Sequence, residues 1–397
     1  MLITRKLKEP CPKCGSSDNY GNVNVGKNIL NRGCNSCGEW TRIPLPDFRK
    51  HVIYLDQFFL SHAFRRQEQK FVDAAKRIKD MASRQLIVCP YSSVHTDETH
   101  LWRNDQQENL YKFIKQTARG YKFSQAYEIK LTQMTKGFES FIAGGDISQS
   151  IDQIDAFREN VHRWDDYFWI DLRPILGDLD AMRQGKADAI AALVGLFPEW
   201  SQFNSSFEED VKSEALGYGE SLFNLYLEMA FKVAPTGDFW DYLNAPIDSM
   251  YVESLLRFDS ANVNIDNRLK RVCLFVTSEY FVSIPYIAVS CGLFAVLRKF
   301  VKNGAFTNQE KAKKKLSGLF YDSECISVFG PYCDAVFIDR TMRQWCYDPE
   351  ARLLDKYNTR AFSAEVWGEF HQYLDQIERD APDDIDKYLS MVYPTIC

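Results

Sequence analysis

The chain has 397 residues, 45% of them hydrophobic and 26% charged, with 28 Phe, 20 Tyr and 8 Trp. That balance excludes an intrinsically disordered chain and supplies a large aromatic core. The formal net charge of -6 lends nothing to a protein that binds nucleic acid through bulk positive charge, although a local basic face or a bound cation reverses the field at a site.

The first residues, Met1 to Cys14, include basic side chains but no apolar stretch, so they do not read as a secretory signal. Eleven cysteines in that setting point to thiols and metal ligation in a reducing cytoplasm, not to a disulfide framework. Residues 1–45 form the first unit, punctuated by Cys11-Pro12-Lys13-Cys14-Gly15 and Cys34-Asn35-Ser36-Cys37-Gly38. Each CxxC makes a tight knuckle whose backbone amides face the thiolates, and the glycine after its second cysteine relieves the bend. Two knuckles supply the four soft ligands of a tetrahedral structural zinc site. Two redox pairs are the alternative. The 19 residues between Cys14 and Cys34 fit a β-hairpin. Four thiolates leave no open coordination position, so this metal is expected to fold the unit and take no part in chemistry. Lys13, Lys27, Arg32, Arg42, Arg49 and Lys50 lie in or near the ribbon, as a nucleic-acid face or as ordinary solvated surface. The ribbon is expected to pack against the first strand that follows it.

Residues 46–397 read as one α/β unit. His51 to Asp56 is a short buried strand ending on an acid. Over 62–83, Phe71, Ala75, Ile78 and Ala82 share one helical face. Leu86 to Cys89 is a second short strand, and Ser92 or Ser93 caps a helix carrying His95, Asp97 and Glu98. Strand, helix, strand, helix opens an α/β sheet. Residues 104–250 read as a mostly helical insertion. Tyr127, Leu131, Met134, Phe138 and Phe141 keep helical spacing up to Gly144-Gly145. Ile151, Ile154, Phe157 and Val161 repeat it, as do Leu222, Leu225, Tyr226, Met229 and Val233. The apolar run from Tyr280 to Leu297 contains Ser283, Pro285, Ser290 and Gly292 and reads as a buried helix, not a membrane span. Asp322 opens a helix, Asp334 to Asp339 is a late strand that again ends on an acid, and Phe362 to Glu378 is a closing helix with Ser363 as its cap.

Four acids therefore fall where α/β chemistry is usually placed: Asp56 and Asp339 at strand ends, where open α/β sheets bind ligands, Glu98 on the helix after the second strand, and Asp322 at the start of a helix. Taken singly, each is equally a helix cap or a surface charge. Gathered together they would repel one another, and magnesium or manganese, hard cations that take oxygen ligands, resolves that conflict. Around them, Asp97 is expected to be exposed. His95 either orders Glu98, meets a phosphate, or is a packing and capping histidine. Ser61 and Ser92 are caps by default, and Arg340 offers a phosphate contact. Lys311, Lys313, Lys314 and Lys315 either guide a phosphate backbone or form a solvated helix face. Trp164 and Tyr167-Phe168-Trp169 are either core or a base-stacking platform. The chain has no phosphate-binding P-loop, GxGxxG, GxSxG or HExxH, and Arg158 and His162 are too closely spaced for the Arg-x4–6-His ribonuclease centre.

Three blocks carry a resemblance: Val52-Ile53-Tyr54-Leu55-Asp56 followed by Ser61, then Pro90 to Thr99 with Glu98, then Asp322 through Asp339. In these blocks the chain resembles the PIN-like nuclease superfamily, interrupted by more than 200 residues between Glu98 and Asp322. The resemblance implies a PIN-like parallel-sheet fold with a large helical insertion. It also implies cleavage of RNA, or less often DNA, by a magnesium or manganese site on Asp56, Glu98, Asp322 and Asp339. Asp334 competes with Asp322 as the third acid. Members occur in toxin–antitoxin systems, RNA processing and bacterial immunity, so a regulatory protein partner is also implied, and a membrane is not. The rival reading is a non-catalytic nucleic-acid- or protein-binding module that works through the zinc ribbon. An assembly protein built on the helical middle lacks the heptad run it would need.

Overall fold

The computed structural model describes residues 1–102, 104–164, 179–234, 237, 240, 245–259 and 264–394. Its first strands are short and broken by glycine and asparagine: β1 (Arg5–Lys6), β2 (Tyr20–Gly26), β3 (Ile29–Cys34) and β4 (Trp40–Pro44). They form an antiparallel sheet in that order. A two-residue turn joins β2 to β3, with Lys27 at φ 49 in the left-handed region that such tight hairpins use. Gly21 is required where β1 crosses, because a Cβ there would lie 2.1 Å from the Arg5 carbonyl oxygen.

The sequence led us to expect packing against the next strand; the apolar core of this small sheet, among the described residues, is built elsewhere. Val25, Leu30 and Leu45 instead bury against Trp164 and against Ile385, Leu389, Val392 and Tyr393 of the C-terminal segment. Asn22, fully buried, donates from Nδ2 to the carbonyls of Met391 (2.9 Å) and Val392 (3.2 Å). The amphipathic helix Ile385–Val392 supplies the apolar partner that a cysteine-rich ribbon lacks on its own.

The second sheet is parallel, ordered β6 (Ile87–Val88), β5 (His51–Leu55), β7 (Ala335–Phe337), β8 (Arg360–Phe362). Tyr54 pairs with Val336, and Val336 with Ala361. Alternation along β5 separates two cores. Val52 and Tyr54 face the helical layer, while Ile53 and Leu55 face α1 (Gln57–Arg65), α2 (Gln69–Ser83) and the helix Trp367–Arg379. From β5 the chain first adds β6 on one side and later β7 on the other, so the order reverses between β5 and β7. Such a switch point leaves a crevice at the carboxyl ends of the two strands.

Several predicted elements are redrawn. The helix over 62–83 is two helices, because Arg66 takes the left-handed conformation (φ 53) and closes α1 before α2 begins. The pattern Ile151 to Val161 makes only the short helix Ile154–Phe157. The closing helix starts at Trp367; Arg360–Phe362 is instead the edge strand β8, and Ser363 makes no cap bond. Helices continue beyond residue 250, through Ser249–Phe258, Ile265–Val276, Pro285–Lys302 and Gln309–Lys315. The apolar run after Tyr280 forms the buried helix Pro285–Lys302. Among the described residues, no helix is long and apolar enough to cross a membrane.

Candidate functional site

The two knuckles close as their spacing predicts. Gly15 donates to the Cys11 carbonyl (2.9 Å) and Gly38 to that of Cys34 (3.0 Å), with both glycines at positive φ (74 and 72). The ligand atoms of Cys11, Cys14, Cys34 and Cys37 all lie within 4.8 Å of one another. Cys11 Sγ is 3.7 Å from Cys37 Sγ, and Cys14 Sγ is 3.7 Å from Cys34 Sγ. A regular tetrahedron with metal–sulfur bonds of about 2.3 Å has sulfur–sulfur edges of about 3.8 Å, so the four thiols are spaced to hold one zinc ion. Burial opposes ionisation of Cys34, yet the backbone N–H groups of Cys37 and Ser36 bring its thiol down to about 7. The ion pair Lys13–Glu39 (3.2 Å) ties one knuckle to the other.

At the β5/β7 crevice, Asp56 follows β5 and caps α1, its Oδ2 accepting from Phe58 N–H (3.4 Å). Asp339 plays the same part beyond β7 for the helix Arg340–Cys346, accepting from Thr341 (2.5 Å) and Met342 (3.0 Å). Both strand-end acids are thus caps, and a carboxylate that caps a helix keeps lone pairs to spare. Glu98 rides on α3 (Ser93–His100). Asp322 lies in the first turn of the helix Leu319–Glu324, which begins earlier than the sequence suggested. That helix runs into a π-helical stretch, Cys325–Phe329. Widened turns of this kind are frequent at functional sites.

The four acids share one electrostatic environment. Burial pushes the Asp56 carboxyl up to about 6, with the charge of Asp339 adding to the shift. Burial pushes Glu98 up to about 8, reinforced by Asp56 and Asp97 and opposed by Lys186. Asp322 is held well above the usual carboxylate range by burial and then by Asp56, Asp339 and Glu98. Among the described residues, the side-chain carboxylates of Glu98 and Asp322 have no hydrogen-bond or ion-pair partner. Half-buried carboxylates of that kind are costly unless a cation or a proton joins them. Their oxygens are not drawn as close as the thiols: among the described residues only the four cysteines meet the 4.8 Å spacing.

The smaller candidates take mostly structural places. His95 is buried within a capping box: its Nδ1 accepts from Ser92 N–H (3.0 Å) and its Nε2 donates to Leu55 O (2.8 Å). Ser92 also meets the buried Tyr54 hydroxyl (3.1 Å), which reaches Cys325 Sγ (2.9 Å). Ser61 donates to Phe58 O (3.0 Å), and Arg340 pairs with Glu365 (2.6 Å). Asp334 lies at the opposite end of the sheet, bonded to Val52 N–H (2.8 Å) and Arg49. It lines a cavity of about 1410 Å³ there that none of the four acids touches. Asp97 is half-buried, not exposed, and burial with the charge of Glu324 pushes it up to about 6. Trp164 is core, edge-on to Phe48 and bonded to Pro46 O (3.0 Å). Tyr167-Phe168-Trp169 lie outside the described residues. Lys313 pairs with Glu310 (2.8 Å) and Lys315 lies over Phe306.

Sequence reasoning missed Lys186 and Tyr321, whose ammonium and ring are 4.5 Å apart beside Asp322. Nothing in the local pattern of helix Leu179–Gly195 ties one lysine to acids so distant in the chain. No family model, curated protein or solved structure matches this chain.

Proposed function

We propose that the chain is a metal-dependent nuclease of the PIN-like kind, acting on RNA in preference to DNA, with a separate structural zinc ribbon. What supports it is that Asp56, Glu98, Asp322 and Asp339, from distant segments, lie near enough to a topological switch point to feel one another's charge, although their oxygens do not reach the 4.8 Å spacing of the thiols, and that two of the carboxylates have no partner among the described residues. An all-oxygen donor set, with the carboxyls of Asp56, Glu98 and Asp322 raised, suits magnesium or manganese. When bound, such an ion supplies charge neutralisation and a water of lowered pKa. On this reading Asp56 and Asp339 hold the metal from the strand ends while capping their helices. Glu98 and Asp322 complete the oxygen set from the helical side, and one of the four orients the attacking water. In the zinc ribbon Cys11, Cys14, Cys34 and Cys37 hold their metal closed to substrate.

One observation favours the rival, a non-catalytic binder: Asp56 and Asp339 already have a structural duty as caps. The test is cleavage of mixed RNA and of DNA by purified protein with magnesium or manganese, with EDTA, and with Asp56→Asn and Glu98→Gln. Asn keeps the cap at position 56 and removes the charge. Metal-dependent cleavage lost in both folded variants supports the nuclease. A wild-type protein that cuts neither polymer, or variants that cut as well as wild type, would leave the binder.

A further inference from the structure

The inward face of helix Leu179–Gly195 is legible in its exposure pattern. Ile190, Leu193 and Val194 are buried in the core shared with the parallel sheet. Lys186 falls one turn before Ile190, on the same face, and is less exposed than its neighbours Gly185 and Ala187. The face thus continues past the apolar core with a lysine where a hydrophobic residue would otherwise follow. Two contacts place it. The Lys186 ammonium lies 4.5 Å from the centre of the Tyr321 ring, next in sequence to Asp322. Arg183, one turn earlier, donates from Nη2 to Leu101 O (3.1 Å), the residue that ends the helix carrying Glu98. The helix is therefore pinned to both segments that bring acids from the helical side.

Resting on the nuclease reading, we propose that Lys186 is a substrate-binding residue whose ammonium contacts a phosphate of the bound strand beside the acids. The helical insertion thereby supplies one wall of the site. Three features argue for it. The charge of Lys186 reaches both Glu98 and Asp322, and neither acid forms an ion pair with it. A lysine placed only to neutralise them would close that distance. Its ammonium sits over the Tyr321 ring, a cation–π contact that holds the head group next to Asp322. Lysine, like a metal ion, stabilises charge on phosphoryl oxygens, and the acids themselves bring only negative charge to the site.

The test uses full-length protein with Lys186→Gln and Lys186→Arg, and two readouts. The first is binding of a 2′-O-methyl oligoribonucleotide, which resists cleavage, across a salt series with calcium present. Losing one phosphate contact lowers the slope of log K against log salt by about 0.7 for a single strand. The expected result is that loss in Lys186→Gln with recovery in Lys186→Arg, while Asp56→Asn leaves the Lys186-dependent part of the slope in place. The second is cleavage, where Lys186→Gln is expected to lose about tenfold or more in kcat/KM and Lys186→Arg to regain most of it. An unchanged salt slope in folded Lys186→Gln overturns the proposal, as does a wild-type protein that does not bind the oligonucleotide. Wild-type binding with the expected slope change but no cleavage keeps the phosphate contact and overturns the nuclease reading alone.

Discussion

The imidazole Nε2 of His95 donates a 2.8 Å hydrogen bond to the carbonyl oxygen of Leu55, the residue directly before Asp56. Because Nδ1 accepts from Ser92 N–H, the ring is the neutral tautomer with its proton on Nε2. Burial holds its pKa down to about 4, with the bond to Leu55 pulling weakly upward. His95 therefore fastens the first turn of α3 to the end of β5, and it fixes where Glu98 stands relative to Asp56. Gln57 Nε2 to Thr99 Oγ1 (3.0 Å) is a second tie between the same two elements.

Replacing His95 with Ala should cost about 1–3 kcal/mol of stability, since it strands the buried Leu55 carbonyl and the Ser92 amide. Urea unfolding measures it. The pH dependence has a definite sign. The folded pKa of about 4 lies below the ordinary 6.5, so the unfolded chain takes the proton first. The histidine's contribution is complete above 6.5 and fades as pH falls towards 4. In His95→Gln that acid-side loss should shrink. An acid limb identical to wild type would remove His95 from this role.

Neutralising Glu98 or Asp322 should stabilise the metal-free protein at pH 8. Neither carboxylate has a partner to lose among the described residues, and both are pushed towards the protonated form by burial and neighbouring acids. Glu98→Gln and Asp322→Asn are expected to raise Tm by a few degrees in EDTA, and to abolish the gain wild type shows on adding manganese. A lowered Tm in EDTA would mean these acids hold the fold together instead.

The same shifts set an opposite pH limb. Asp56 moves from 3.8 to about 6 and Glu98 from 4.5 to about 8, so between those values the native state holds protons that the unfolded chain has released. Metal-free protein should lose stability as pH rises from about 4 to about 8. Saturating magnesium or manganese should flatten that limb, because the ion takes over from the proton. Thermal unfolding across pH, with EDTA and with metal, tests this directly; parallel curves would count against a cation site at these acids.

The parts legible in the sequence were those set by local chemistry. Cys11 to Cys37 could be read because knuckle spacing and following glycines are contiguous signals, and β5 and β7 because each is a short apolar run ending on a turn-forming acid. β8 was missed because Arg360-Ala361-Phe362 is too short to show a period and abuts a real helix. The ribbon's partner was missed because the contact of Asn22 with Met391 joins opposite ends of the chain. Lys186 escaped for the same reason: its importance lies in which acids it faces, and tertiary folding decides that. The grouping of Asp56, Glu98, Asp322 and Asp339 into one site was suggested by a family pattern, not by periodicity, and their oxygens do not share the close spacing of the thiols. The raised pKa values of Asp56, Glu98 and Asp322 depend on burial that no local window reports.

Removing the ribbon's metal should act at the far end of the chain before it acts on the acids. Cys11 and Cys34 are buried in a small cluster with Tyr20, so without metal the knuckle end of the ribbon keeps little beyond the β2–β3 backbone ladder. Asn22 and Arg32 on those strands hold Met391 O, at 2.9 Å and 3.2 Å. Cys11→Ser should therefore bind less than one zinc per chain and expose the backbone of Ile385–Val392 to hydrogen exchange. The amides of β5 and β7 should stay protected. On the nuclease reading, cleavage of a short oligonucleotide at the acids should survive in this variant once folding is confirmed. If exchange instead rises first in β5, the ribbon supports the parallel sheet directly and the two sites are not independent.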